Sequence, residues 1–150
     1  MVLLSHLKRR IGAAVLAFGA LLGAPAIAVA GDAQAGERSF ARQCTACHVI
    51  RDDSGSIIMG TGARTGPNLF GLASRPAATA DGFAYGPSMQ QLAGRAVGWD
   101  ENAFVSFVTA PSAFLQQRLG DRRASSRMAY LVRNPADAAD IWAYLSRFSN

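Results

Sequence analysis

Five consecutive residues, Cys44-Thr45-Ala46-Cys47-His48, constrain this chain more than any other stretch. On a helical turn, cysteines three apart share one face, and a histidine four after the first falls on the same side. Cys-x-x-Cys-His is the attachment signature of a c-type haem. Cys44 and Cys47 can each form a thioether with a vinyl group, and the His48 imidazole can bind the iron. One short turn would then anchor the cofactor twice and supply an axial ligand. A redox dithiol and half of a zinc site compete with this reading. Zinc would want further cysteine or histidine, and the only other histidine is His6, in a segment read below as a leader. A thioredoxin-like motif would want a neighbouring βαβ pattern, which the hydrophobic periodicity does not show.

The chain opens as an exported one does. Lys8, Arg9 and Arg10 form a positive start, Ile11 to Ala28 is apolar, and Ala28-Val29-Ala30 is a small-x-small cleavage site. Residues 1–30 are therefore expected to be a signal peptide, and 31–150 a single domain large enough to enclose one cofactor. An uncleaved membrane anchor is the alternative, since the apolar run is long enough. Pro25 and the small residues favour removal. Export places the protein in the periplasm, outside the cytoplasm, where haem is attached to reduced cysteines.

The isoelectric point near 10.0 overstates how basic the expected mature chain is. Taking Lys8, Arg9 and Arg10 from the fifteen basic residues leaves twelve arginines against ten acids, a net charge of +2. Two ionised haem propionates would cancel that charge, so nucleic-acid binding is not indicated. No lysine follows Lys8.

Asp32 can cap a first helix from about Ala33 to the haem motif. Gly36 and Phe40 share a face of it, the glycine admitting another helix closely. Arg51 to Thr65 reads as a loop by composition. Gly66-Pro67-Asn68-Leu69-Phe70-Gly71 reads as a tight bend. Placed after a haem motif, the Pro67 carbonyl can accept a hydrogen bond from the outer nitrogen of His48, orienting the ring. Leu72 to Gly98 reads as mostly irregular, with a helical turn near Ser88 to Leu92. Asp100 can cap a helix that has Glu101 in its first turn and Phe104, Phe107 and Val108 on its apolar face. Pro111 stops that helix and can begin another through Phe114 and Leu115. Asp121 to Met128 reads as a loop. Asn134-Pro135-Ala136-Asp137 starts a C-terminal helix whose buried face is Ile141, Tyr144, Leu145 and Phe148. No segment alternates long enough to argue for a sheet.

With His6 in the leader and both cysteines used, the second axial ligand is Met59, Met89, Met128, or an open site. Met128 stands out because an arginine-rich polar loop precedes it and a capped helix follows. Met59 remains within reach of the iron.

Taken together, C-T-A-C-H, G-P-N-L-F-G, G-F-A-Y followed by Trp99, S-S-R-M-A-Y and the final D-I-W-A-Y-L resemble a class I cytochrome c, most closely the bacterial cytochromes c2. The resemblance spans nearly all of the chain after the leader. It implies an all-α fold, several helices wrapped around one covalently bound haem c, with the first and last helices crossing. Gly36 and Phe40 would then meet Ile141 and Tyr144. It also implies thioethers at Cys44 and Cys47, His48 as proximal ligand, Pro67 as the residue orienting it, and Met128 as distal ligand. Arg75, Tyr85, Trp99 and Ser126 match groups that hold the propionates. Phe107 stands where many relatives carry a tyrosine. The 51–65 loop resembles an insert of some cytochromes c2, and the family's docking lysines are replaced by arginines.

The resemblance implies an electron carrier that is not an enzyme, taking electrons from a cytochrome bc1 complex and passing them to a photosynthetic reaction centre or a terminal oxidase. It is expected to be a monomer that docks transiently on membrane complexes. A peroxidase-like haem enzyme with an open sixth site and a membrane-anchored cytochrome are the alternatives. From Arg118 to Arg133 five arginines meet only Asp121, a local charge of +4 that marks a candidate docking face for an acidic partner.

Overall fold

The computed structural model describes residues 31–149; the expected leader, 1–30, lies outside the described residues. Five α-helices dominate: α1 (Ala33–Gln43), α2 (Pro87–Ala93), α3 (Glu101–Thr109), α4 (Pro111–Leu119) and α5 (Pro135–Leu145). None of them is long and apolar enough to cross a membrane.

Capping starts three of these helices where the sequence signals it. The Asp32 carboxylate accepts from the N–H of Gln34 at 2.8 Å and of Ala35 at 3.2 Å, satisfying donors that α1 leaves unpaired. Asp100 does the same for α3 through Ala103 N–H at 2.7 Å. Asn134 does so for α5 through Ala136 N–H at 3.0 Å. Pro111 opens α4, and Gly120, with φ 69°, closes it in the left-handed region where glycine is unstrained.

Helices α1 and α5 cross as expected. A Cβ on Gly36 would overlap the Asp140 carbonyl and sit 3.0 Å from Ile141 N, so only glycine lets the backbones approach this closely. Phe40, fully buried, packs its ring 5.9 Å from that of Tyr144. At the open end of the crossing, Asp32 N–H donates to Asp140 Oδ1 at 2.7 Å.

Three local readings need correction. The 51–65 stretch is not loop throughout: β1 (Ile50–Arg51) pairs antiparallel with β2 (Ile57–Met59), in register Ile50 to Met59 and Arg51 to Ile57. Asp52 closes the turn by accepting from the N–H of Ser54 and Ser56 at 3.0 and 2.9 Å. Strands of two and three residues are too short for alternation to show in the sequence. Leu72–Ser74 forms a 3₁₀ turn inside a stretch read as irregular, and α2 extends the expected turn by one residue at each end. Phe148 lies beyond α5, in the 3₁₀ turn Ser146–Phe148, and is only partly buried, its ring edge-on to Tyr144 at 5.1 Å.

Two apolar clusters result. Phe40, Ile50, Phe104, Val108, Ile141 and Leu145 anchor one. Leu92, Phe114, Leu115 and Leu119 anchor the other. Trp99 and Phe107 pack against both.

Candidate cofactor site

Beyond α1 the chain stays coiled for one more turn. His48 N–H and Cys47 N–H both donate to the Cys44 carbonyl, at 2.9 and 3.1 Å, and Thr45 Oγ1 donates to Ala41 O at 2.7 Å. This turn brings Cys44, Cys47 and His48 to the wall of one cavity of about 660 Å³, within the range of cofactor pockets. The two cysteines are not paired with each other. Burial, and then the neighbouring Cys47, pushes the Cys44 thiol up to about 12, so it stays neutral.

The His48 ring is fixed from the next loop. Its Nδ1 lies 2.9 Å from the Pro67 carbonyl oxygen. A carbonyl only accepts, so Nδ1 carries the proton and Nε2 keeps its lone pair. Burial lowers the imidazole pKa, with the bond to Pro67 acting against it, and so favours the neutral ring that a metal needs. Gly66 is part of this arrangement, though the sequence marked it only as a bend residue. A Cβ there would lie 2.8 Å from His48 Nε2 and closer still to Nδ1 and Cε1. Gly66 N–H also donates to Cys47 O at 2.7 Å, tying the loop to the cysteine turn.

The remaining expected residues converge on the same cavity: Pro67, Arg75, Tyr85, Trp99, Ser126 and Met128 all line it. Of the other candidate methionines, Met89 lines it and Met59 does not. Phe107 lines it too, edge-on to Trp99 at 5.4 Å, where a tyrosine would have placed a hydroxyl.

Arg75 supplies the test of what fits. Its Nη2 donates to Asn68 O at 2.7 Å, yet its Nη1 is buried and has no partner. A buried guanidinium N–H left unpaired is costly and calls for an anionic acceptor. The Tyr85 hydroxyl accepts from Ala80 N–H at 3.3 Å and keeps its own proton to donate. The Trp99 indole N–H can only donate. Ser126 has a local task that the sequence did not show: its Oγ accepts from Met128 N–H at 3.0 Å, shaping the turn at the methionine. A neutral Cys44 thiol, a lone pair on His48, thioethers and free donors suit a flat, iron-bearing, carboxylate-tailed group. They fit a haem.

Two residues on the rim were invisible in the sequence. Gln43 and Tyr130 both line the cavity, and the Tyr130 hydroxyl donates to Gln43 Oε1 at 3.2 Å across 87 positions. No local pattern signals a pair so far apart.

No family model matches the chain. It is 46% identical over 136 residues to cytochrome c2 of Cereibacter sphaeroides, covering 90% of this chain and 91% of that one. It is 44% identical over 119 residues to cytochrome c-551 of Roseobacter denitrificans, covering 79% and 82%. Among solved structures, cytochrome c2 from Rhodobacter sphaeroides superposes with a TM-score of 0.76 at 43% identity, over 79% of this chain and 97% of that one. Ferric cytochrome c-550 from Paracoccus versutus superposes with a TM-score of 0.73 at 34% identity, over 80% and 99%. Likeness of this extent in both sequence and fold, with the cysteine pair spaced for attachment, shows that the chain belongs to the cytochrome c2 branch of the class I cytochromes c and carries one covalent haem c.

Proposed function

We propose that this electron-transfer cytochrome works in the periplasm, released there by cleavage of residues 1–30, and that residues 31–150 act as a monomeric carrier. It takes electrons from a cytochrome bc1 complex and gives them to a photosynthetic reaction centre or a terminal oxidase. The observation that carries this reading is the His48–Pro67 bond, which leaves Nε2 free in a cavity that Met128 also lines.

In this reading Cys44 and Cys47 would hold the haem by thioethers, and His48 and Met128 would bind its iron. When bound, the haem supplies an iron that accepts and returns one electron. Pro67 and Gly66 keep the His48 ring from rotating, so little has to move between oxidation states. The Met128 thioether and burial favour the reduced state and raise the potential. Arg75, Tyr85, Trp99 and Ser126 offer donors to the propionates, Arg75 through its unpaired Nη1. Met128 as a ligand would leave no position open for peroxide, so this reading disfavours the peroxidase alternative.

Docking falls to the arginine-rich segment. Arg122 and Arg123 are exposed, and the Arg123–Asp121 pair at 3.7 Å is too open to neutralise the patch. Arg118 lies over the Phe114 ring at 5.2 Å, while Arg127 lines the cavity rim. A cationic patch beside the rim suits a partner with an acidic surface, because charge-steered encounters are fast and release quickly.

The test is the second-order rate of reduction by membranes containing cytochrome bc1. Raising ionic strength from ~0.01 to ~0.1 M shortens the screening length from about 30 to about 10 Å, and the rate should fall about tenfold. Arg122→Glu with Arg127→Glu should lower it similarly while leaving the haem spectrum unchanged. A rate indifferent to both would place docking elsewhere.

A further inference from the structure

The stretch that carries Met128 is poorly tied down. Ser126 N–H donates to Ser112 Oγ at 3.1 Å, and Val132 N–H donates to Val108 O at 2.9 Å, with Val132 only 2% exposed. These bonds fix the two ends. Between them, residues 129–131 make a single hydrogen bond to the rest of the described chain, from the Tyr130 hydroxyl to Gln43 Oε1. Ala129, Tyr130 and Leu131 are exposed, Tyr130 by 49%.

The far end of that bond is well anchored. Gln43 is the last residue of α1, next to Cys44. Its Nε2 donates to Asp137 Oδ2 at 3.0 Å, and Asn134 Nδ2 donates to Asp137 Oδ1 at 3.0 Å. With Nε2 committed to a carboxylate, the Gln43 amide can present only its oxygen to Tyr130. The orientation of the pair is thus set from α5. Residues that line the cavity and are also exposed mark its rim, and Tyr130 is one of them; Gln43, half-buried, stands beside another, Arg42. The bond therefore joins the strap after Met128 to the turn that begins at Cys44.

We propose that Asp137, Gln43 and Tyr130 form a latch that holds the 129–131 strap over the cavity rim and so sets how often Met128 lets go of its position. Tyr130 and Gln43 are positioning residues, acting through the strap. The latch rests on the reading of Met128 as the distal ligand. Breaking it removes one exposed hydrogen bond, so the protein stays folded and the closed form remains dominant. The open form becomes more populated by about two- to tenfold, the factor carried by one net hydrogen bond.

Imidazole tests this directly on the ferric holoprotein. It can bind only after the sulfur leaves, so at saturating imidazole the observed rate is the opening rate. Tyr130→Phe and Gln43→Leu should each raise that limiting rate about two- to tenfold. The double variant should be no faster than the faster single, because both remove the same bond. Ile58→Ala, a comparably exposed apolar residue outside both latch and strap, should leave it unchanged. All four proteins should keep the far-red band of the iron–sulfur bond. Unchanged rates in both single variants, or additive effects in the double, would overturn the latch while leaving the ligand assignment intact. A native protein without the band, binding imidazole with no limiting rate, would overturn the ligand assignment and the latch together.

Discussion

His48 is held by short bonds within its own turn and from the loop that follows: its N–H to Cys44 O at 2.9 Å, its ring to Pro67 O at 2.9 Å, and the Gly66 N–H tie to Cys47 O at 2.7 Å. Met128 is held differently. It lies in a stretch without regular structure, bounded by side-chain hydroxyls at Ser112 and Ser126 and released to solvent at Ala129. One side of the cavity leans on the α1–α5 crossing, where Gly36 and Phe40 are buried; the other leans on a strap with exposed Tyr130 and Leu131. Local unfolding starts where buried apolar contacts and backbone bonds are few. The His48 side should therefore decide whether a holoprotein exists at all, and the Met128 side how its iron is coordinated.

The sharpest way to break that contrast is to crowd the rigid side. Gly66→Val puts branched carbon where the His48 ring stands. The ring would have to leave Pro67, giving up a hydrogen bond in addition to an overpacking cost of about 1–3 kcal/mol. The expected outcome is a several-fold loss of covalent haem protein. Acid–acetone extraction followed by haem staining of a denaturing gel measures it. In the native protein the haem should stay on the polypeptide throughout. A normal yield and an unchanged melting temperature in the variant would show that the loop yields, and that the two sides are alike.

The matching substitution on the other side should spare the fold and change the iron. Met128→Ala is expected to abolish the weak far-red band of the oxidised protein and lower the reduction potential. It should also open the reduced iron to carbon monoxide, with haem still attached. Met89→Ala is the necessary control, because Met89 also lines the cavity. Met59→Ala should be silent, since Met59 packs against the α1–α5 cluster instead. If the band survives in the Met128 variant and vanishes in the Met89 variant, the ligand is on α2 and the strap has another purpose.

The same contrast explains what could be read from the chain beforehand. Asp32, Asp100 and Asn134 act through N–H groups two or three residues away, so their caps are written locally. His48 and Pro67 are 19 positions apart, and proline marks the bend that brings them together. The β1–β2 hairpin leaves no sequence signal because its strands are too short to show a period, and the Asp52 turn that closes it looks like any polar loop. The Tyr130–Gln43–Asp137 chain is illegible in the sequence for another reason. Its partners are 87 and 94 positions apart and are brought together only by the helix crossing. That Arg75 serves the propionates is what the family resemblance implies. That its Nη1 lacks a partner is visible only in the fold.

The smallest expected effect concerns the frame of the rigid side. Hydrogen bonds from Ala35 N–H and then Gln34 N–H hold the exposed Asp32 carboxyl below its ordinary value of 3.8. A carboxyl depressed on folding stabilises the native state above its unfolded pKa. That contribution fades as pH falls from near 3.8 through the lower folded value. Asparagine caps helices about as well as aspartate but does not titrate. Asp32→Asn should therefore melt close to the native protein at neutral pH, and the gap between them should shift in the variant's favour in acid. Thermal melts of both holoproteins at pH 7 and near pH 3 measure this. Because Gly36 and Phe40 hold the α1–α5 crossing by close packing, the shift should be small beside the loss at Gly66. Parallel acid limbs in the two proteins would show that the cap carries no proton-linked stability, and that packing alone keeps α1 in place.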